Sequence, residues 1–208
     1  RMALGTADAE KGERGCYSFC MCPGGQVVPT SLEKGRLCIN GMSFSNRASR
    51  WANSAVVVSV GAEYGDLGPE GDLRDCVGGG DPLAGLRFQE EMERRAAEMG
   101  GGDLECPVQR VPVFLEGKLS TEPLPRSSYR LGVRPAPLHE LYPPAVTEAL
   151  REALRRWGRT MPGFASEDAL LHGVETRTSA PVQVQREGAT FEALGLPGLY
   201  PAGEGAGY

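Results

Sequence analysis

Gly198-Leu199-Tyr200-Pro201-Ala202-Gly203-Glu204-Gly205-Ala206-Gly207-Tyr208 is the stretch against which the rest of the chain is read. It opens with an apolar run able to enter a strand, and Gly195 to Gly198 would lead into that strand. It then turns glycine-dense, with Gly203, Gly205 and Gly207 alternating. Glycine admits positive φ and lets another group approach the main chain. A strand opening into such a turn before a helix aims backbone N–H groups at an anion such as a pyrophosphate. The sequence stops at Tyr208, where that helix would begin, so the expectation is a functional element cut within itself. Taken alone, the same residues also suit a loose C-terminal tail.

Four further stretches stand upstream in a fixed order. They are Tyr17-Ser18-Phe19-Cys20-Met21-Cys22-Pro23-Gly24-Gly25, Asn40-Gly41-Met42-Ser43, Pro107-Val108-Gln109-Arg110 and Gly173-Val174-Glu175-Thr176-Arg177-Thr178-Ser179. With the Gly-Glu-Gly-Ala-Gly end, they resemble the C-terminal portion of the uncharacterised FAD-dependent dehydrogenase family, from about Gly15 to Tyr208. The resemblance implies FAD as the cofactor of the complete protein and allows NAD(P) as a second nucleotide. It implies that Gly203, Glu204, Gly205, Ala206 and Gly207 approach the flavin, with main-chain N–H donors and with Glu204 turned toward the ribityl hydroxyls.

One element of that family is missing from the sequence. Its flavin-binding half starts with a strand, a Gly-x-Gly-x-x-Gly turn and a helix that hold the ADP pyrophosphate. That spacing follows no strand here, and Gly78-Gly79-Gly80 precedes a helix start without the pattern. The expected missing partner is therefore the N-terminal FAD-binding half, and the isolated chain is expected to bind FAD weakly or not at all. The implied division is a linker or upstream remnant over residues 1–14, a substrate-type domain over 15–197, and a second flavin-contacting segment beginning at 198–208.

Bulk properties narrow the function classes. A chain of 208 residues can bury a core. Its 24% charged and 40% hydrophobic residues are ordinary for a globular protein. A net charge of −5 argues against a broad nucleic-acid surface, which needs a basic face. No run of about 18 apolar residues is present, so no membrane-spanning helix is expected. The six cysteines are scattered rather than framed as in a small secreted scaffold. An intracellular setting, cytoplasm or plastid, is the expectation. Arg1 in place of a methionine leaves targeting unread.

The local pattern predicts mixed elements. Cys16 to Cys22 and Gln26 to Val28 read as a hairpin across Pro23-Gly24-Gly25. Arg36 to Ile39 and the β-branched run Asn53 to Val60 read as strands. Asn40-Gly41 has turn chemistry, with a pocket-lining loop as the other reading. Residues 65–80 read as loop. A helix is expected from Asp81-Pro82 to Gly100-Gly101-Gly102, with Leu83, Leu86, Phe88, Met92, Ala96 and Met99 toward one face. Pro107 to Leu115 reads as a strand, and residues 117–137 as irregular. A second helix covers Pro144 to Trp157, its Arg151, Arg155 and Arg156 taken as a solvated basic end, with a phosphate or partner patch as the other reading. Leu170 to Thr176 and Val182 to Arg186 read as strands. Strands in two groups around helices indicate an α+β (mixed α/β) fold. In the light of the resemblance, that is an inserted substrate-type domain of a flavoprotein with two dinucleotide-binding-like domains, plus the remnant of its FAD-binding domain.

Two clusters are the candidates for chemistry. Cys20 and Cys22, one residue apart, would face the same side of an extended strand, where a disulfide would be strained. They stand either as a thiol pair facing a flavin or substrate, or as small buried thiols. The spacing Cys16-x3-Cys20-x-Cys22 is poor for zinc, so no metal is assigned. Arg177, with its fork of donors, and Ser179 lie just past a strand end, where open sheets bind ligands. They read as pocket residues, or as a half-exposed strand whose Glu175 and Arg177 pair with neighbours. Arg110 is a weaker candidate of the same kind.

The functional expectation is a fragment of a flavin-dependent oxidoreductase acting on an unknown small molecule. The alternative is a non-catalytic binding module that keeps a flavoprotein-like shell.

Overall fold

A computed structural model describes residues 4–5, 14–61, 81–119 and 122–207 of the chain. The predicted loop over residues 65–80, with Cys76 and Gly78-Gly79-Gly80, lies outside them, as do Tyr208 and most of the predicted 1–14 linker. Eight strands are found among the described residues: β1 (Leu4–Gly5), β2 (Cys16–Pro23), β3 (Gly25–Pro29), β4 (Ile39–Ser43), β5 (Ala52–Val58), β6 (Cys106–Arg110), β7 (Val133–Pro135) and β8 (Leu170–His172). Three α-helices accompany them: α1 (Ala84–Met99), α2 (Val111–Glu116) and α3 (Pro144–Thr160). The fold is mixed α/β, with three small sheets.

The first sheet has the order β1-β2-β5, antiparallel throughout. β2 does not form the expected hairpin with β3. Instead it pairs with β5, and β3 pairs with β4, so Pro23 and Gly24 pass the chain from one sheet to the next. The predicted Asn40-Gly41 turn is likewise a strand: β4 starts at Ile39 and carries Asn40 to Ser43 opposite Val28 to Gly25. Asn-Gly chemistry yielded because β3 offers a full ladder, and because Gly41 lets another chain come close. A Cβ at Gly41 would lie 2.0 Å from the Asn53 Oδ1, and one at Gly25 would lie 2.1 Å from the Met42 oxygen. Asn53 thereby ties β5 onto the second sheet, its Nδ2 donating to the Met42 carbonyl at 3.3 Å.

In the third sheet β6 is central, parallel to β7 and antiparallel to β8. Its residues Cys106 to Gln109 are all buried, which explains a run without alternation. The strand expected to reach Leu115 stops at Arg110. Val111-Pro112 starts a helix there, since proline suits a first turn, where the missing N–H leaves no bond unmade. Gly117 at φ +69 closes that helix. Arg151 Nε donates to the Phe114 carbonyl at 3.1 Å and Arg155 Nη2 to the Leu115 carbonyl at 3.0 Å. The basic end of α3, expected to be merely solvated, therefore satisfies the last carbonyls of α2.

The helix faces differ from the simple stripes. α1 buries Ala84, Phe88, Met92, Ala96 and Ala97 as an apolar face, and with them the carboxylate residue Glu93, while Leu83 is exposed. α3 runs three residues past Trp157 and buries Val146, Ala153, Leu154 and Trp157. One core joins the sheets and helices through Leu37, Ile39, Val108, Phe114, Leu141 and Leu154. Burying each such large apolar side chain contributes about 1.5–3 kcal/mol.

Beyond His172 the chain is almost free of regular structure. The strands expected over Val182 to Arg186 and after Gly198 are absent; one isolated bridge joins Arg186 and Ala193. Gly195, Gly198, Gly203 and Gly207 all have positive φ, and Pro181, Pro197 and Pro201 offer no N–H, so no ladder can run here.

Candidate functional site

A cavity of about 630 Å³ lies where the three sheets and α2–α3 meet. β2 and β5 provide Cys22 and Val56, β3 and β4 provide Val27 and Ile39, and α2 and α3 provide Phe114 and Leu154. β8 and the segment after it add His172 and Glu175. The volume is in the range of small-molecule sites.

The thiol pair is split by the way β2 bends. Phe19 lies opposite Ala55 and Cys22 opposite Asn53, so three steps on β2 match two on β5. This is a bulge, and Cys20 sits in it at φ +51. The extended geometry that would have turned both thiols to one side is therefore lost. Cys20 is exposed, and the cavity wall instead receives Met21 and Cys22. The Cys22 Sγ donates to the Cys20 carbonyl at 3.1 Å. Burial pushes the Cys22 thiol up, helped by the Cys20 thiol and the Glu175 carboxyl and opposed by Arg47.

Glu175 also lines the cavity, and burial pushes its carboxyl above the usual range. Two residues on, the situation reverses. Arg177 donates from Nε and Nη2 to the two oxygens of Glu93 at 2.8 and 2.9 Å, and Thr176 Oγ1 donates to Oε1 at 2.6 Å. Glu93 is fully buried in α1. Burial works against its charge, yet the bonds from Arg177 and Thr176 prevail and its carboxyl is held low. Gln89, one turn earlier, donates to the carbonyls of Thr176 and Ser179. The corner 176–179 is thus bracketed to α1, with Ser179 itself exposed.

The glycine-rich end folds back on the same corner. Ala180 N–H donates to Glu204 Oε1 at 3.2 Å and Val184 N–H to the Gly205 carbonyl at 2.7 Å. Arg186 donates to the Pro201 and Gly207 carbonyls. Residues Glu204–Ala206 form a single 3-10 turn. Arg177, Ser179 and Gly203 to Gly207 are outside the cavity lining, whereas Cys22 and Glu175 are on it. Arg110, the weaker candidate, pairs with Glu122 at 2.7 Å, and its Nε is buried without a hydrogen-bond partner.

A second polar group went unread in the sequence. His172 Nε2 and Ser127 Oγ are 2.7 Å apart on the cavity wall. The ring's Nδ1 has the Leu170 carbonyl at 3.0 Å, so Nδ1 carries the proton and Nε2 accepts from Ser127. Burial pushes the imidazole down to about 4, against the Leu170 bond, and keeps it neutral. Ser127 belongs to a proline- and serine-rich stretch 45 residues away, so no local pattern could have joined the two. The other histidine, His139, is not on the cavity lining; the buried Gln109 donates to its Nδ1 at 2.9 Å. Among the described residues, no three His, Cys, Asp or Glu side chains group as metal ligands. No described helix is long and apolar enough to cross a membrane.

Comparison with known proteins gives two matches. Residues 4–178 match the family described as "FAD-dependent protein, C-terminal domain-like". An uncharacterised protein of Clostridium beijerinckii (strain ATCC 51743 / NCIMB 8052) is 45% identical over 206 residues. That alignment covers 98% of this chain and 36% of the relative, so the chain spans about a third of the relative's length.

Proposed function

Because the chain belongs to the family of FAD-dependent protein C-terminal domains, we propose that it is part of a FAD-dependent oxidoreductase, supplying the substrate-side wall and part of the flavin site. In this reading residues 15–197 are the inserted substrate-type domain and 198–208 begin the second flavin-contacting segment. The partner is the N-terminal FAD-binding half, and NAD(P) is a further nucleotide of the complete protein.

The observation that supports this most is the junction at residues 175–180. Glu175 lines the cavity, and five residues later Ala180 is gripped by Glu204 of the glycine-rich end. Cavity and glycine turn are thus two faces of one corner. The turn fits a flavin's ribityl and phosphate side as one flank. Gly203, at φ +90, has open space where a Cβ would stand, and Gly207 has φ +76. The Ala206 and Gly207 N–H groups are used inside the turn, leaving Gly203, Glu204 and Gly205 to offer main-chain donors. Glu204 keeps one carboxylate oxygen for a hydroxyl while the other holds Ala180.

When bound, the flavin supplies the electron-accepting ring. The protein's share is to bind, orient and keep water out. Cys22 and Glu175 border the substrate side, where burial disfavours the charged form of the Glu175 carboxyl. Arg177, its fork on Glu93, and Ser179 border the flavin side.

The test has two arms. Free FAD titrated against the 208-residue chain, followed by flavin fluorescence, is expected to bind weakly or not at all; sub-micromolar saturation would overturn the shared-site reading. The full-length protein is expected to purify with stoichiometric flavin absorbance. A colourless full-length protein that also fails to take up FAD would leave the alternative, a non-catalytic binding module with a flavoprotein-like shell. The internal use of the Arg177 side chain, forked on Glu93, favours that alternative.

A further inference from the structure

The cavity has a chemistry that neither the family match nor the flavin reading assigns. Much of its wall is apolar, from Val27, Ile39, Phe114, Leu138, Leu141 and Leu154, with Asn40, Asn53, Ser54 and Ser166 also on the lining. Set into it are two adjacent hydroxyls, Ser127 and Ser128. Ser127 Oγ donates to His172 Nε2 and accepts the Tyr129 N–H at 3.0 Å, which leaves one lone pair unused. Ser128 Oγ accepts the Val27 N–H at 3.0 Å, which leaves its proton to donate. The wall therefore presents one acceptor and one donor side by side.

We propose that this cavity takes an uncharged, largely apolar small molecule carrying an alcohol or carboxamide group, anchored by the Ser127–Ser128 pair beside His172. The proposal names the substrate class for the reading above and rests on that reading only in treating the cavity as a ligand site. A ligand O–H or N–H donates to Ser127 Oγ, and its oxygen accepts from Ser128. The charged side chains on the lining other than Glu175, Arg126 and Asp168, are solvent-exposed at the rim and offer a buried charge no partner. Inside, each titratable group is driven toward its neutral form: Glu175, Cys22 and Tyr142 upward and His172 downward, burial being the largest cause in each. An anionic ligand would lose its hydration without gaining a buried counter-charge, and a cation would meet only Glu175, whose charge burial already disfavours.

The chain has only two histidines, so the imidazole ¹⁵N resonances come from two rings, with His139 as internal reference. Benzamide, benzyl alcohol, benzoate and benzylammonium keep the ring and vary the charge. In the flavin-free chain, benzamide and benzyl alcohol are expected to shift the His172 signal saturably, and the two ions to bind at least about tenfold more weakly, a difference of about 1.4 kcal/mol. Ser128→Ala is expected to weaken benzamide while leaving the His172 signal of the free chain in place. Equal or tighter binding of benzoate or benzylammonium would overturn the proposal. So would shifts that leave His172 untouched for all four probes. Flavin uptake by the full-length protein is read separately, so either result can fail without the other.

Discussion

Glu93 and Glu175 are two carboxyl groups on either side of one corner, and their surroundings shift them in opposite directions. Glu93 is fully buried yet held low, because Arg177 and Thr176 deliver three bonds to its two oxygens. Glu175, only partly buried, is pushed up because burial meets no cation. Depth alone therefore does not decide ionisation; the donors at hand do. The ion pair fastens α1 to the chain beyond β8, and the carboxyl two residues away is left to face a cavity.

The largest way to break the contrast is Arg177→Met. It leaves the Glu93 carboxylate buried without its fork, and urea denaturation at pH 7 is expected to show a loss of about 3 kcal/mol. A loss below about 1 kcal/mol would mean the pair is not what holds this corner. Glu93→Gln is expected to cost less, about 1–2 kcal/mol, since the stranded Arg177 side chain is already 36% exposed and can turn to water.

The pH dependence separates the two groups by sign. Glu93 has a lowered folded value, so its stabilisation is complete above its unfolded value of about 4.3 and is lost as pH falls through the folded one. Glu175 has a raised folded value, so it favours folding below that unfolded value, and the benefit is lost as pH rises through the folded one. Glu175→Gln is thus expected to be more stable than the parent at pH 8, with the gap closing toward pH 5. A gap that widens toward pH 5 would reverse the assignment.

The smallest effect is kinetic. Alkylation by iodoacetamide at pH 7.5, read by peptide mass spectrometry, is expected to be several-fold slower at Cys22 than at the exposed Cys20, because thiolate is the reactive form and burial disfavours it. Glu175→Gln is expected to speed Cys22 and leave Cys20 unchanged, since it removes one of the charges that holds the Cys22 thiol up.

Much of the framework was legible locally. The β-branched run became β5, the helix expected from Asp81-Pro82 became α1 but starts only at Ala84, with Leu83 at its N-cap, the Pro144 start became α3, and the ordered motifs identified the family. Pairing was not legible. β2 and β3 look like a hairpin across Pro23-Gly24-Gly25, yet each bonds to a later strand. The bulge at Cys20, which separates the two thiols, depends on the register with β5 and not on the cysteines themselves. Glu93 was hidden among charged neighbours on α1, and only the approach of Arg177 from 84 residues away makes it a core residue.

By itself the sequence determined the two long helices α1 and α3 and the kinship, because each rests on the conformational limits of neighbouring residues or on motifs in order. Tertiary structure alone decided which carboxyl is held low and which is pushed up, which thiol meets the cavity and which serine meets His172. Those outcomes depend on distances between residues far apart in the chain and on the water that folding removes between them.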